Sequence, residues 1–368
     1  MAPRGSIAGD AAEASVEGVS LAELQLAARN SGMPLEALRY PVTPVGLHYL
    51  LTHYDIPAVD RSSWRLRIAG AVRDELELSL DELRTRPHAI VRATMECAGN
   101  GRALLEPRPV SQPWLAEAVG TAEWGGTPLA PLLREAGLAD DVAEILFTGL
   151  DRGVEGGETQ SYERSLPLDE ALREEVLLAY EVNGEPLPAQ HGAPLRLVVP
   201  GWYGMTNVKW LGRVTALTAP FSGYQNAWSY RLRQDENEAG EPVSRMQPRA
   251  LMVPPGIPEF LSRDRFVEPG PCRLVGRAWS GWGPIAEVDV SADGGGTWEA
   301  ADLDDAHDPW AWRGWSYEWD ASVPGRYELC CRARDTAGNE QPLVAPWNLG
   351  GYANNAVQRV AVNVASSL

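Results

Sequence analysis

The chain has 368 residues, of which 44% are hydrophobic, and its formal net charge at pH 7 is −18. This length exceeds what one hydrophobic core usually serves, so it predicts two domains with short extensions. The negative charge repels nucleic acid and anionic membrane surfaces, so neither is expected as a partner. Any anionic ligand must therefore be bound by local arginines and lysines.

The sequence shows no targeting or membrane-spanning pattern. No run approaches the ~20 apolar residues of a membrane helix, and the first residues lack the basic-then-apolar pattern of a secretory signal. We therefore expect a cytoplasmic protein. The cysteines at positions 97, 272, 330 and 331 do not form a disulfide framework. We expect the last three to be reduced packing residues.

Residues 1–40 are predicted to be an N-terminal extension. Residues 1–16 are rich in Ala, Gly and Ser, and are expected to be disordered. Ser20 and Glu23 have the spacing of a capping box, which predicts a helix through about Asn30. This helix is expected to pack on the main domain.

Residues 41–240 are predicted to form the first full domain. Strands are expected over about 64–69, 89–95, 143–151 and 195–199, and helices after Ser79, over 128–136 and over 168–175. Helices and strands are interleaved without a regular βαβ period. This pattern favours a mixed α+β domain over a doubly wound sheet.

The last part of the chain has a different pattern of predicted strands and turns. Prolines make residues 220–260 an expected extended connection, with 241–261 joining the two domains. Residues 262–368 contain short alternating strands near 275–279, 286–291, 315–319, 327–334 and 357–364, separated by Gly, Pro and Asp turns. This spacing is typical of an immunoglobulin-like sandwich. Ser291, Asp293 and Thr297 fit an Asp-box hairpin, which we interpret as structural.

Cys97 is the residue on which the prediction of a site depends. It follows a predicted strand and lies in a turn of small residues, with Arg102 five positions further on. Free backbone amides and a nearby arginine favour the thiolate, which is a nucleophile and a soft metal ligand. For a lone cysteine, packing as a small buried hydrophobe is the alternative.

The neighbouring motifs resemble those of the sulfite oxidase family of molybdenum enzymes. They are Cys-Ala-Gly-Asn-x-Arg at 97–102, Trp114, the run 120–129, and the run 191–204 that is followed by Asn-Val-Lys-Trp at 207–210. The resemblance covers about residues 41 to 364. It implies that Cys97 ligates molybdenum, which receives two further sulfur donors from the dithiolene of a pyranopterin, the molybdopterin cofactor.

The resemblance also implies a C-terminal sandwich that forms a homodimer. Eight tryptophans from Trp279 onward suit such an interface, because aromatic residues are enriched in protein interfaces. Packing in the core of the sandwich is the competing interpretation of these residues.

The residues of two sites follow from the same resemblance. Taken singly, a histidine in the core or an arginine in a surface ion pair is the simpler interpretation. The joint spacing, with His191 five residues before Arg196 and Lys209 thirteen after it, favours a cofactor site. The expected cofactor-binding residues are His53, Asp151, His191, Arg196, Asn207, Val208 and Lys209. The expected catalytic residues are Cys97, Arg102, Trp114 and Tyr230.

Two positions depart from the family's pattern for sulfite. Leu51, two residues before His53, and Gly350 stand where sulfite oxidases carry arginine. Each charge-assisted hydrogen bond to an anion contributes about 1.5 to 3 kcal/mol, so the two losses would weaken sulfite binding by roughly two to four decades.

The sequence thus predicts a molybdenum–molybdopterin oxidoreductase that transfers an oxygen atom and two electrons at the metal. Its substrate is expected to be a small oxyanion or oxo compound. Sulfite oxidation proper is one alternative, and a cofactor-free interaction protein with the same fold is another. The sequence shows no haem-binding segment and no flavin fingerprint, so the electron partner is expected to be a separate molecule.

Overall fold

A computed structural model describes residues 18–305 and 308–365. The expected disorder of residues 1–16 lies outside these ranges. Within them, no helix is both long enough and apolar enough to cross a membrane.

The N-terminal extension begins with helix α1, Leu21–Arg29. The hydroxyl of Ser20 accepts a hydrogen bond from the backbone N–H of Glu23 at 3.2 Å, and the Glu23 carboxylate accepts one from the backbone N–H of Ser20 at 2.8 Å. The predicted capping box is therefore confirmed. Glu23 also pairs with Arg108, so the cap of this helix is fastened to the first domain.

The first domain consists of ten strands and four short helices within the described residues. The strands are β1 Leu66–Gly70, β2 Leu76–Leu78, β3 Ala89–Glu96, β4 Val119–Pro128, β5 Glu144–Glu155, β6 Glu158–Pro167, β7 Leu177–Val182, β8 Glu185–Pro186, β9 Arg196–Val198 and β10 Leu211–Leu217. The helices are α2 Leu80–Arg84, α3 Leu129–Ala136, α4 Leu168–Ala171 and α5 Tyr224–Ala227.

These strands form two sheets. The first has the order β2-β1-β10-β5-β6, in which β1 and β10 are parallel and the other neighbours are antiparallel. The second, β3-β4-β7-β8 with β9 paired to β7, is antiparallel. Ile68, Leu133 and Phe147 are fully buried in the main core between these elements. The predicted mixed α+β class is confirmed, although the helix predicted over 168–175 ends at Ala171.

The C-terminal part is a two-sheet β-sandwich, as predicted. The strands are β11 Arg231–Leu232, β12 Glu241–Pro242, β13 Arg249–Met252, β14 Ile257–Pro258, β15 Arg265–Val267, β16 Pro271–Trp279, β17 Ile285–Ser291, β18 Glu299–Ala300, β19 Asp302–Leu303, β20 Arg313–Asp320, β21 Gly325–Asp335 and β22 Gln358–Val364. β11 and β12 form a short hairpin before the sandwich. Leu274, Val288 and Trp315 are buried between the sheets β13-β16-β20-β19 and β14-β15-β22-β21-β17-β18.

Three expectations for the C-terminal part can be compared with the structure. Residues 249–252, in the expected connection, form β13 and pair antiparallel with β16. The Asp293 carboxylate accepts hydrogen bonds from the Ser291 hydroxyl at 2.7 Å and from the Thr297 hydroxyl at 2.8 Å, as an Asp-box hairpin requires. Four of the eight tryptophans from Trp279 onward are buried inside the chain, so core packing explains them: Trp279, Trp312, Trp315 and Trp319.

The two domains meet at the carboxylate of Glu96, the last residue of β3. This side chain is 2% exposed and accepts hydrogen bonds from Arg249 Nη1 at 2.8 Å and Trp279 Nε1 at 2.9 Å, both in the sandwich. Asn100, in the turn after β3, donates a third at 2.9 Å. A buried carboxylate is tolerated only when it is paired and hydrogen-bonded, so these contacts fix how the domains pack.

A second set of contacts joins the sandwich to the same turn. The side chain of Asn354 donates to the carbonyl oxygen of Gly101 at 2.6 Å, and the backbone N–H of Ala353 donates to that of Ala98 at 2.8 Å. The turn of residues 97–102 is therefore bound by the C-terminal domain on both sides.

We expect Arg249→Met to lower the free energy of unfolding by about 3 to 5 kcal/mol, because it leaves the Glu96 carboxylate buried without its cation. Urea denaturation measures the change. The control is Arg334→Met, which removes a cation of the same domain that is 45% exposed and pairs with Glu340. There the loss should stay below about 1 kcal/mol, and equal losses in the two variants would contradict the assignment.

Candidate active site

A pocket lies beside Cys97. Eight of the eleven predicted site residues line it: His53, Cys97, Asp151, His191, Arg196, Asn207, Lys209 and Tyr230. The structure thus gathers residues from distant parts of the sequence around one cysteine. Arg102, Trp114 and Val208 lie outside this lining.

Cys97 is held in a tight turn at the end of β3. Its backbone N–H donates to the carbonyl oxygen of Ala118, and its own carbonyl oxygen accepts from the backbone N–H of Asn100, both at 2.9 Å. Gly101 has a φ of +86°, and a Cβ at Gly99 would lie only 2.6 Å from Arg102 Nη2. These two positions need glycine because one is left-handed and the other lies against the guanidinium.

In the protein without a cofactor, burial is the largest influence on the pKa of the Cys97 thiol. Burial raises its pKa, and Arg102, the backbone N–H of Gly99 and the Trp114 side chain counteract this only in part. The sequence correctly identified the groups that favour the thiolate, but the net direction is opposite to the one expected. Coordination to a metal is what deprotonates a thiol in such a setting.

Arg102 lies against the turn, outside the pocket. Its Nε donates to the carbonyl oxygen of Gly350 at 2.9 Å and its Nη1 to that of Gln112 at 3.2 Å. Its guanidinium carbon is 5.2 Å from the centre of the Tyr352 ring. A Cβ at Gly350 would overlap this ring, so Tyr352 occupies the space that a side chain at position 350 would need.

Arg196 is a buried cation without a carboxylate partner among the described residues. Its Nη1 donates to the carbonyl oxygen of His191 at 3.0 Å and its Nη2 to that of Asn207 at 3.3 Å, while its guanidinium lies 4.6 Å from the Trp124 ring. Its Nε has no hydrogen-bond partner. Desolvation lowers the pKa of Arg196 to about 10, which still leaves it charged at neutral pH.

Lys209 and Asp151 face the same pocket. Lys209 Nζ donates to the carbonyl oxygen of Leu51 at 2.5 Å, and burial together with Arg196 lowers its pKa to about 7. Asp151 Oδ1 has no hydrogen-bond partner among the described residues, and burial raises the pKa of this carboxyl to about 6. Burial also lowers the pKa of His191 to about 3.

The remaining predicted cofactor residues are held by their neighbours. His53 Nε2 lies 3.0 Å from a carboxylate oxygen of Glu155. Asn207 Oδ1 accepts from the backbone N–H of Val199 at 2.7 Å. Val208 is fully buried, and its carbonyl oxygen accepts from the backbone N–H of Leu197 at 2.8 Å. Asn207 and Val208 therefore shape the segment that carries Lys209.

Tyr230 lines the pocket from a left-handed backbone conformation, with φ of 54°. Its carbonyl oxygen accepts from the backbone N–H of Val243 at 2.9 Å. This conformation is unusual for a bulky residue and is maintained by the surrounding contacts.

Other pocket residues were not predicted from the sequence. Tyr162, in β6, donates its hydroxyl hydrogen to the carbonyl oxygen of Met205 at 2.8 Å. Met95 Sδ lies 3.3 Å from Arg196 Nη2, and His48 Nε2 is buried without a hydrogen-bond partner. His48 and Tyr49 adjoin the segment that leads to His53, and this proximity is the signal that could have identified them. Tyr162 lies in a polar stretch of β6 that gives no such signal.

The residues present fit a molybdopterin. Asp151 Oδ1, Arg196 Nε and His48 Nε2 are buried polar atoms without partners in residues 18–305 and 308–365, which is the pattern expected around a polar ligand. Arg196 and Lys209 suit a phosphate, and Cys97 supplies a soft metal ligand. The arrangement thus defines a site for an anionic, metal-bearing cofactor.

Comparison with known families agrees with this site. Residues 53–225 match the family model of the oxidoreductase molybdopterin binding domain, and residues 243–365 match that of the Mo-co oxidoreductase dimerisation domain. The fold and the site therefore define a molybdopterin-dependent oxidoreductase.

Individual relatives narrow the class. The chain is 38% identical over 341 residues to sulfite oxidase of Gallus gallus, covering 86% of this chain and 72% of that protein. It is 37% identical over 350 residues to mitochondrial sulfite oxidase of Mus musculus, covering 88% of this chain and 62% of that protein's length. The chain belongs to the sulfite oxidase family.

A solved structure gives the same result for the fold. The sulfane dehydrogenase SoxCD from Paracoccus pantotrophus superposes with a TM-score of 0.79 at 26% identity, covering 99% of this chain and 97% of that one. The predicted enzyme class and cofactor are confirmed, and the cofactor-free alternative is removed.

We expect Asp151→Asn to change how stability depends on pH in protein made without the cofactor. Burial raises the pKa of this carboxyl from 3.8 to about 6. A carboxyl with a raised folded-state pKa loses stability as pH rises through the interval between the unfolded and folded values, because the unfolded chain releases the proton more easily. The free energy of unfolding of the wild type, relative to Asp151→Asn, should fall by on the order of 3 kcal/mol from about pH 4 to about pH 7.

Urea denaturation at several pH values measures this difference. The control is Asp140→Asn, which changes an exposed carboxylate. It should keep the wild type's pH dependence. A pH-independent difference between wild type and Asp151→Asn would show that Asp151 is not held in this environment.

Proposed function

We propose that the protein oxidises a small sulfur oxyanion, with sulfite as the substrate to test first. The observation that carries this proposal is the positive charge buried around Cys97. Among the described residues, Arg102 and Arg196 have no carboxylate partner, although the chain as a whole carries a net charge of −18. The names of the sulfite oxidases and of the sulfane dehydrogenase compared above support sulfur chemistry.

Different residues of the chain would bind different parts of the cofactor. Arg196, Lys209, His53, His191 and Asp151 would hold the pterin and its phosphate, and the Cys97 thiolate would hold the metal. When bound, the cofactor supplies a molybdenum that takes up two electrons and exchanges an oxygen atom. Binding of the cofactor also provides partners for the buried polar atoms of the pocket.

Tyr230 is suited to donate a hydrogen bond to the substrate. Burial raises the pKa of its phenol well above the ordinary value, so it stays protonated at neutral pH. A neutral phenol that faces a buried anion donates a strong hydrogen bond. Leu51 and Met205 make other parts of the pocket wall apolar, which limits the water around the anion.

The two missing arginines affect affinity within this proposal. Leu51 lines the pocket, and Gly350 leaves space that Tyr352 fills. We therefore expect a higher KM for sulfite than an enzyme with arginines at both positions would show. The electron acceptor is proposed to be a separate protein or small molecule. The cytoplasmic location stays a prediction.

Steady-state oxidation of sulfite by the molybdenum-loaded protein, with ferricyanide as acceptor, tests the proposed function. We expect turnover that saturates with sulfite and is lost in Cys97→Ser, because a hydroxyl replaces the soft thiolate. Cys331→Ser, at a buried cysteine of the sandwich, is the control and should keep activity. No sulfite turnover by loaded wild type, or full turnover by Cys97→Ser, would reject the proposal.

We further propose that the chain forms a homodimer through its C-terminal sandwich. The match to a dimerisation domain supports this, and so do exposed apolar side chains in the loop between β14 and β15, where Phe260 and Leu261 are each 82% exposed. Sedimentation at micromolar concentration should show a dimer, and Phe260→Ser combined with Leu261→Ser should weaken it. A monomeric wild type would contradict the proposal.

A further inference from the structure

Arg164, in β6, is a buried arginine that the site described above does not use. Its side chain is 4% exposed, and among the described residues its guanidinium has one hydrogen-bond acceptor, the carbonyl oxygen of Gln225. Its Nε has no partner in the part of the chain that the structure describes. The side chain of Gln225 donates instead to the carboxylate of Glu155, which His53 and Tyr54 also contact. Within the described residues, Arg164 is therefore a buried positive charge without an ion pair.

Arg164 stands at one end of a row of four side chains. Its guanidinium carbon lies 5.5 Å from the centre of the Tyr230 ring, the Tyr230 and Tyr352 ring centres are 5.1 Å apart, and the Arg102 guanidinium lies 5.2 Å from Tyr352. Two buried cations thus flank two phenol rings, and one of these rings lines the pocket. Tyr162, two residues before Arg164 and on the same face of β6, lines the pocket as well.

The row leaves two positive charges uncompensated. A cation over an aromatic ring gains less free energy than a buried charge without an ion-pair partner costs. Desolvation lowers the pKa of Arg164, but an arginine remains protonated in proteins. An anion bound beside Tyr230 would offset part of this cost.

We propose that Arg164 is a specificity-determining residue that binds the substrate oxyanion next to Tyr230. Arg102 supplies one positive charge. Arg164 supplies a second one, which Leu51 and Gly350 do not provide. Two guanidinium groups favour a doubly charged oxyanion, such as sulfite or sulfate, over a neutral or singly charged molecule. This inference rests on the proposed function, because it assigns a residue to the binding of that substrate.

The test compares Arg164→Gln and Arg164→Lys with wild type. The matched control is Arg265→Gln. Arg265 is 5% exposed, against 4% for Arg164, and it also donates only to backbone carbonyls, those of residues 254–256, but it belongs to the sandwich. Two quantities are measured on molybdenum-loaded protein. One is the KM and kcat for sulfite, and the other is the rise in thermal midpoint caused by sulfate relative to chloride at equal ionic strength.

We expect Arg164→Gln to raise the KM for sulfite about 10- to 100-fold, with a much smaller change in kcat, and to lose most of the sulfate-dependent rise in midpoint. Arg164→Lys should recover part of the affinity for sulfite and part of the sulfate-dependent rise in midpoint. Arg265→Gln should keep the wild-type KM and the wild-type response to sulfate. A structural role for Arg164 alone would lower the midpoint but leave KM and the sulfate response unchanged.

A wild-type KM and sulfate response in folded, loaded Arg164→Gln would overturn the inference. If this variant does not fold, Arg164→Lys decides by the same measurements, since its shorter side chain displaces the charge and should raise KM. If sulfite is oxidised equally well with and without Arg164, the inference is rejected and the proposed function stands. If the sulfate response depends on Arg164 but sulfite is not oxidised, the proposed function is rejected and anion binding by Arg164 stands. If wild type shows neither sulfite oxidation nor a sulfate response, both proposals are rejected.

Discussion

The buried carboxylate of Glu96 is the contact on which the rest of the structure depends. It ends β3, precedes Cys97 in sequence, and is bound by Asn100 from the cysteine turn and by Arg249 and Trp279 from the sandwich. Because a carboxylate with so little exposure requires its donors, the position of the cysteine is coupled to the packing of the two domains. The dimerisation domain therefore acts as part of the scaffold of the active site.

The distribution of charge explains how an acidic protein binds anions. Acidic residues lie mostly on the surface, whereas Arg102, Arg164 and Arg196 are buried without carboxylate partners among the described residues. In a low-dielectric interior each such charge interacts strongly with a bound anion and weakly with the distant surface. The pterin phosphate and an oxyanion substrate would thus complete the charge balance of the pocket. Asp151 Oδ1 and His48 Nε2 also lack partners among the described residues, and hydrogen-bonding groups of a bound pterin would supply them.

Local sequence signals predicted much of this molecule. The capping box at Ser20, the turn at Cys97 and the alternating strands of the sandwich each depend on neighbouring residues, so they could be recognised directly. Contacts between distant segments could not be recognised in this way. Glu96 resembles any carboxylate at the end of a strand, and Arg164 lies in a polar stretch of β6. The pKa of Cys97 also depends on its degree of burial, which the sequence does not give, so the expected direction was wrong.

We propose that the turn held by Glu96 presents Cys97 to molybdenum as its protein ligand. X-ray absorption at the molybdenum edge tests this claim most directly, because it counts sulfur atoms at bonding distance from the metal. The account predicts that wild type has one more sulfur neighbour than Cys97→Ser, whereas Cys331→Ser matches wild type. The same number of sulfur neighbours in wild type and in molybdenum-loaded Cys97→Ser would contradict the account.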